Sequence, residues 1–417
     1  MRTEVDKKTQ SLPIALWALT LATFGIGTTE LVPMGLLPTI AHDLEVSLFA
    51  TGLLITGYAL GVVVGVPVLS LFSSRVSRKT LLLMLIAGFS IGNILCALAP
   101  NYTFLMIARI VVSFMHGSFF GESYVMAAKL APPDKKTSAL ALVATGLTLS
   151  TVLGAPLGTY LGLTYGWRVP FYVITGIGVL SLAAMAWLIP SMKQEDIPSL
   201  RKQARVLRRP QVLLALSMTV FGIGGVFTVF TYITPLLEQI TGIASQDVAT
   251  ILLVYGIGSL VGNIIGGKLS DWRLMPTLLG CLVALTIVLT GMTFTIHHPI
   301  MAIISIFIWG IVAFAPIPPL QMYILEKSSD APQFASGLNV AAFNLGNALG
   351  AFLGGLTMEN PLLNLQALPW VAASVTSIGV VLTIVSVRVD IKILEKRDIY
   401  YDESTAKTNN HRAKCTC

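Results

Sequence analysis

Glu30 and Arg109 are the two residues of this chain whose type and setting most clearly suggest chemistry. Each lies in an apolar stretch long enough to cross a bilayer. A charge inside a spanning helix is costly and marks an ion pathway, a proton relay or a substrate site. Glu30 precedes Pro38, at the outer end of its segment, by eight residues; Arg109 follows Asn101, at the outer end of its own, by eight. At 1.5 Å per residue both sit about 12 Å below one surface, so they can pair if their helices face each other. The guanidinium stays charged, so the carboxylate is the group able to carry a proton. Approach and withdrawal of Arg109 would shift its affinity for that proton. The alternative is a static pair that fixes helix packing.

His116 lies on the Arg109 segment near mid-depth, where a neutral imidazole can bond a polar substrate or simply pack beside Gly117. Glu122 falls at the inner interface, within reach of loop arginines. Asn339, Asn344 and Asn347 lie on the eleventh apolar segment. Buried amides must find partners in a neighbouring helix or a ligand, and uncharged amides suit hydroxyl-bearing solutes. Gln321 and Tyr232 are further candidates of that kind. Gly154 and Gly158 flank Pro156; glycines four apart let helix backbones approach, and the proline bends the helix.

The elements that must hold these groups follow from composition. Of 417 residues, 54% are hydrophobic and 11% charged, against about 25% charged in soluble domains; mean hydropathy is +0.79. Twelve spans are predicted, over residues 12–38, 47–71, 79–100, 102–128, 137–163, 169–190, 212–237, 246–269, 275–296, 299–325, 334–357 and 367–388. With the N-terminus inside, 25 of the 27 Lys and Arg fall in cytoplasmic segments; Arg109 and Arg168 are the others. That asymmetry sets orientation. It also argues against nucleic acid, because the basic residues form gaps between spans rather than one face. The single cysteines Cys96 and Cys281, with Cys415 and Cys417 in the tail, make no disulfide or metal framework. No cofactor is expected.

The chain repeats itself. Phe24-Gly-Ile-Gly27 returns as Phe221-Gly-Ile-Gly224 and Pro38 as Pro235, 197 positions on. Tyr58 lies over Tyr255, Gly61 over Gly258 and Gly65 over Gly262 at the same offset. Phe227 holds the place of Glu30. Six spans per copy give both halves one orientation, with a site expected between them. The expected domains are an N-terminal bundle (1–190), a basic linker (191–211), a C-terminal bundle (212–390) and a disordered tail (391–417).

TELVPMGLLP (29–38), YALGVVVGVPVLSLFSSR (58–75), HGSFFGE (116–122), GAPLGTYLG (154–162) before Trp167-Arg168, and AAFNLGNALGAFLGG (341–355) resemble the major facilitator superfamily. The likeness is to its twelve-helix drug/proton antiporter branch, nearest the arabinose-type sugar efflux permeases. It implies an all-α integral membrane fold: twelve transmembrane helices in two pseudo-symmetric six-helix bundles. It implies a role for Arg109 and a helix-one carboxylate in proton coupling, and an exporter signature at Gly154-Ala-Pro-Leu-Gly158. It implies an inner latch at Arg75 and Arg78; the aspartate usual there is Ser74 here, and Asp271 supplies it in the second half.

The expected protein is therefore a multi-pass inner-membrane carrier with both termini cytoplasmic, functioning as a monomer. Inward proton flow through Glu30 would drive export of a small polar or amphiphilic molecule such as a sugar, nucleoside or antibiotic. The nearest alternative is a proton symporter importing a sugar-like solute. A membrane-embedded enzyme or sensor is the alternative of another class. Against it, the spans carry no nucleophile–base pair, metal cluster or phosphate loop.

Overall fold

The computed structural model describes residues 12–73, 76–132, 135–191, 209–328, 332–360 and 362–390. Arg75, linker residues 192–208 and the tail from 391 lie outside the described residues. Among the described residues, twelve helices are long and apolar enough to span a bilayer: α1 (Ala15–Gly35), α2 (Leu48–Val66), α3 (Arg78–Ala97), α4 (Tyr102–Leu130), α5 (Ser138–Tyr165), α6 (Val169–Leu188), α7 (Pro210–Phe230), α8 (Ser245–Trp272), α9 (Leu274–Thr295), α10 (Pro299–Lys327), α11 (Phe334–Glu359) and α12 (Leu365–Asp390). Each matches one predicted span to within a few residues, with α2 continuing to Ser73.

The exterior is apolar, and the charged groups deep in the spans, Glu30 and Arg109, are enclosed within an apolar interior. Trp187 is 89% exposed and Ile91 60%, whereas Glu30 is 5% and Arg109 1%. Lipid tails accept the apolar exterior, while charged groups must be enclosed by protein. α1 is buried on nearly every side, so its carboxylate stands near the centre of the molecule.

Two bundles meet in the outer halves of their helices, the ends away from residues 12 and 390. One apolar core lies wholly within α1–α6 and their connections, and another within α7 and α9–α12. A third is shared: Leu31, Met34, Leu37, Ile55 and Ala155 of the first bundle join residues such as Phe227, Tyr255 and Trp309 of the second. All five first-bundle members lie outside mid-depth. Hydroxyl and ring contacts reinforce that seam. Thr234 Oγ1 lies 3.2 and 3.1 Å from the carbonyl oxygens of Met34 and Gly35, to which it can donate. The Phe49 and Phe352 rings stand 6.1 Å apart.

Small residues decide how close the helices come. Along α5, Gly146, Gly154, Gly158 and Gly162 each face α1 or its extension, where a Cβ would overlap Thr23, Thr28, Val32 or Leu36. Gly154, Gly158 and Gly162 are four apart and Gly146 lies eight before the first of them, so they share one face and make a groove for α1. Pro156 has no N–H to donate, and its ring crowds the preceding turn. α5 answers with one widened turn over Ser150–Gly154, in which Ala155 N–H reaches back to the Ser150 carbonyl. On the far side of that turn Gly256 of α8 meets the backbone of Thr151 and Val152. The motif thus fixes α5 to α1 within one bundle and to α8 across the seam.

Candidate functional site

The polar centre is built on α1, α2 and α4, with one contribution from α11. Glu30 Oε1 accepts a hydrogen bond from Asn347 Nδ2 at 3.0 Å. Its other oxygen, Oε2, stands 4.0 Å from His116 Nδ1. The same imidazole nitrogen is 3.1 Å from the Tyr58 hydroxyl. Tyr58 and His116 are thus hydrogen-bonded to each other, and the same imidazole nitrogen stands near Glu30 but beyond hydrogen-bond distance.

Arg109 closes one side of this centre without pairing directly with the carboxylate. Its NH1 donates to the Thr29 carbonyl at 2.6 Å, and its guanidinium carbon lies 4.2 Å from the centre of the Tyr58 ring. Nε and NH2 are buried and have no partner. The expected ion pair is thus replaced by a bond to the peptide carbonyl immediately before Glu30. The equal-depth reading is met, but the side chain reaches backbone first. Thr29, whose hydroxyl bonds Asn93 Oδ1, is tied on its other side to α3.

The α11 amides do not converge. Asn347 faces Glu30, and its own Oδ1 is buried without a partner. Asn339 accepts from Thr219 at 2.7 Å and donates to Gln321 at 2.7 Å; Gln321 in turn donates to Ser336 at 2.9 Å. That network joins α7, α10 and α11 inside the second bundle. Asn344 donates to the Val340 carbonyl at 3.0 Å, leaving Oδ1 buried and unbonded. Tyr232 lies at the outer seam, where its hydroxyl donates to the Ala351 carbonyl at 2.9 Å and its ring covers Gly52.

Opposite the polar centre the second bundle is aromatic. Phe227, in the repeat position of Glu30, meets Phe230 and Phe343 edge-on; Phe230 stacks on Tyr255 at 4.7 Å, and Tyr255 lies 4.7 Å from Trp309. Phe227, Phe230, Tyr255 and Phe343 line a narrow apolar cavity of about 20 Å³, to which Leu31 and Thr151 of the first bundle contribute.

At the inner end Arg78 NH1 and Glu122 Oε2 form an ion pair at 2.7 Å, within the first bundle. Asp271 is exposed at the end of α8. Among the described residues no cluster of His, Cys, Asp and Glu is fit to hold a metal. Two features of the centre escaped sequence reasoning: Tyr58 beneath Arg109, and Asn93 behind Thr29. Tyr58 did leave a signal, since it recurs as Tyr255.

Comparison with known proteins agrees with this architecture. The chain is 43% identical over 373 residues to the inner membrane transport protein YdhP of Escherichia coli K12, covering 89% of this chain and 96% of that one. It is 39% identical over 389 residues to the MFS-type transporter YtbD of Bacillus subtilis (92% and 96%), and 36% identical over 361 residues to AraJ of E. coli K12 (84% and 90%). Among solved structures, a bacterial homologue of the human lysosomal transporter Spinster, inward-facing and occupied, superposes with a TM-score of 0.71 at 17% identity, over 89% of this chain and 96% of that one. Residues 19–355 match the family model of the Major Facilitator Superfamily. With that match, twelve spanning helices and inner-membrane relatives, the chain belongs to the Major Facilitator Superfamily and is a multi-pass protein of the inner membrane.

Proposed function

We propose that the protein is a proton-coupled secondary transporter that exports a small polar or amphiphilic molecule by alternating access. The observation that carries this reading is the place of Glu30. Among the described residues it is the carboxylate buried within a spanning helix, and it stands where the two bundles meet, bonded to Asn347 of the opposite bundle. A group that changes charge at a moving interface couples a proton to the movement. Arg109, beside the same peptide, supplies a fixed positive charge against which the carboxyl titrates. The proton reaches or leaves Glu30 past His116 and Tyr58.

Segments 1–190 and 212–390 are the moving bodies, 191–211 the linker and 391–417 a cytoplasmic tail. The outer seam at Thr234, Tyr232 and Phe49 is the closed gate of this state. The cargo sits between the polar centre and the aromatic wall, with His116 and Asn344 as its polar contacts. Asn339 and Gln321 hold the second bundle together, and Tyr232 belongs to the gate. Arg75, Arg78 and Asp271 act at the inner latch when the bundles close there. The Gly154–Gly158 motif supports the outward direction of transport through its hold on α1 and α8. The carrier acts as a monomer.

The test is transport in energised vesicles of known orientation, using a panel of labelled sugars, nucleosides and antibiotics. Accumulation in inside-out vesicles that collapses with the pH gradient is the expected result. Accumulation only in right-side-out vesicles establishes proton-driven import instead.

A further inference from the structure

An exchanger must obey a rule beyond having a carrier for the proton: the empty, deprotonated form must not reorient. If it did, protonated transit one way and empty transit back would together leak protons with no cargo moved. The structure contains a group placed to enforce that rule. Among the described residues, two side chains of the second bundle hydrogen-bond to the first: Thr234, on the short helix Ile233–Leu236 after α7, and Asn347 on α11. Thr234 meets backbone carbonyls, which do not titrate. Asn347 meets Glu30, which does. Asn347 is fully buried, and that one bond is its amide's only tie across the seam, because Oδ1 has no partner.

We infer that Asn347 is the interlock of the transport cycle, holding the outer seam shut while Glu30 is charged and the cargo site is empty. The inference rests on Glu30 as the proton carrier and adds the residue by which the opposite bundle senses its state. An amide N–H to a carboxylate is a charge-assisted bond, and it is strong where water is excluded. Opening the seam outward parts α11 from α1 and strands the charge without its donor. Protonation removes the charge and weakens the bond. A cargo donor taking the place of Nδ2 satisfies the carboxylate within the first bundle and frees α11. Either ligand therefore releases the lock, and the absence of both leaves it set.

The ionisable groups facing Glu30 do not replace Asn347 in this role. Tyr58 on α2, Arg109 and His116 on α4, and Cys96 behind them on α3 all belong to the same bundle as Glu30, so none parts from it when the seam opens. α5, α6 and α7 carry no acid, His, Lys or Arg within their spans, and α8 and α11 carry theirs near the ends, at Asp247, Lys268, Asp271 and Glu359.

The test needs no cargo. The full chain is reconstituted in vesicles loaded with a pH-sensitive dye, and a potassium diffusion potential is imposed with valinomycin. The wild type should leak protons no faster than protein-free vesicles. Asn347→Leu, which fills the space but cannot donate, should leak at least about tenfold faster, the change expected for one hydrogen bond to a charged group. Asn347→Gln, which keeps an amide, should restore tightness at least in part. A tight Asn347→Leu carrier with wild-type melting behaviour overturns the inference. In the double variant with Glu30→Gln the leak should vanish; a leak that persists shows that Glu30 does not carry the proton, which refutes the transport reading separately. Should Asn347→Leu fail to fold, deuterium exchange of the wild type decides. Corrected for intrinsic rates, residues 48–55 and 233–241 should be better protected at pH 8 than at pH 5, and equal or reversed protection overturns the interlock.

Discussion

Arg109 bonds the carbonyl of Thr29 at 2.6 Å, so the guanidinium is tied to the backbone beside Glu30 and leaves the carboxylate free to bond across the seam. Two of its nitrogens have no partner although they are buried. The charge is thus held by one hydrogen bond, the Tyr58 ring face and the nearby carboxylate. Lysine has neither the planar fork nor the reach to reproduce that arrangement. Arg109→Lys and Arg109→Ala should both abolish pH-gradient-driven transport. Arg109→Ala should also lower the melting temperature, since it leaves the carboxylate without its compensating charge in a low-dielectric site. Transport at wild-type rates in Arg109→Lys would show that the residue only fills space.

Glu30→Gln keeps a polar group able to bond Asn347 but removes the titration. Active transport against a gradient should be lost, while exchange of labelled for unlabelled cargo across the membrane should persist. Glu122→Gln breaks the Arg78 ion pair at the membrane edge, where both side chains are partly solvated. Such pairs are worth roughly 0–1 kcal/mol. That variant should transport at a reduced rate with its pH dependence unchanged.

Gly154 and Gly158 have no room for a side chain, because a Cβ would overlap Thr28 and Val32 respectively. Gly154→Val and Gly158→Leu should each destabilise the fold by about 1–3 kcal/mol, the usual cost of overpacking. Gly154→Ala should be milder, and pairing it with Thr28→Ala should recover part of the loss. A double-mutant cycle on thermal stability in detergent measures this coupling; simple additivity would mean that the helices part there at no cost.

Asp43 lies beyond the outer end of α1. Hydrogen bonds from Trp167 Nε1 at 2.9 Å and Arg168 NH1 at 2.6 Å hold its carboxyl below the usual aspartate range. A depressed folded-state pKa means that the stabilisation is complete above about pH 3.9, the unfolded value, and is lost as pH falls through the lower folded one. The group is largely exposed, so the effect should be small, under about 1 kcal/mol. Asp43→Asn should narrow the stability difference between pH 6 and pH 3 measured by thermal unfolding. An unchanged difference would place the acid sensitivity elsewhere.

Glu30, Arg109 and the Gly154–Gly158 motif were legible in the sequence because an apolar span leaves its exceptions conspicuous. The twelve spans were legible for the same reason: each must be about as long as the membrane is thick. Orientation followed from the placement of lysines and arginines, and the two-bundle plan from a repeat at one offset. All of these are properties of the chain measured along itself.

Which amide meets which partner was not of that kind. Asn339 and Asn347 are two turns apart on one helix, yet one joins a network inside its own bundle and the other reaches across to Glu30. Likewise Arg109 had the depth to reach the carboxylate, and the fold sent it to the carbonyl before it. Helical spacing places a side chain in depth and direction on its own helix, but its partner depends on how neighbouring helices are rotated and shifted. That is decided by small-residue grooves, a proline-widened turn and the packing of two bundles, and only the assembled molecule contains it.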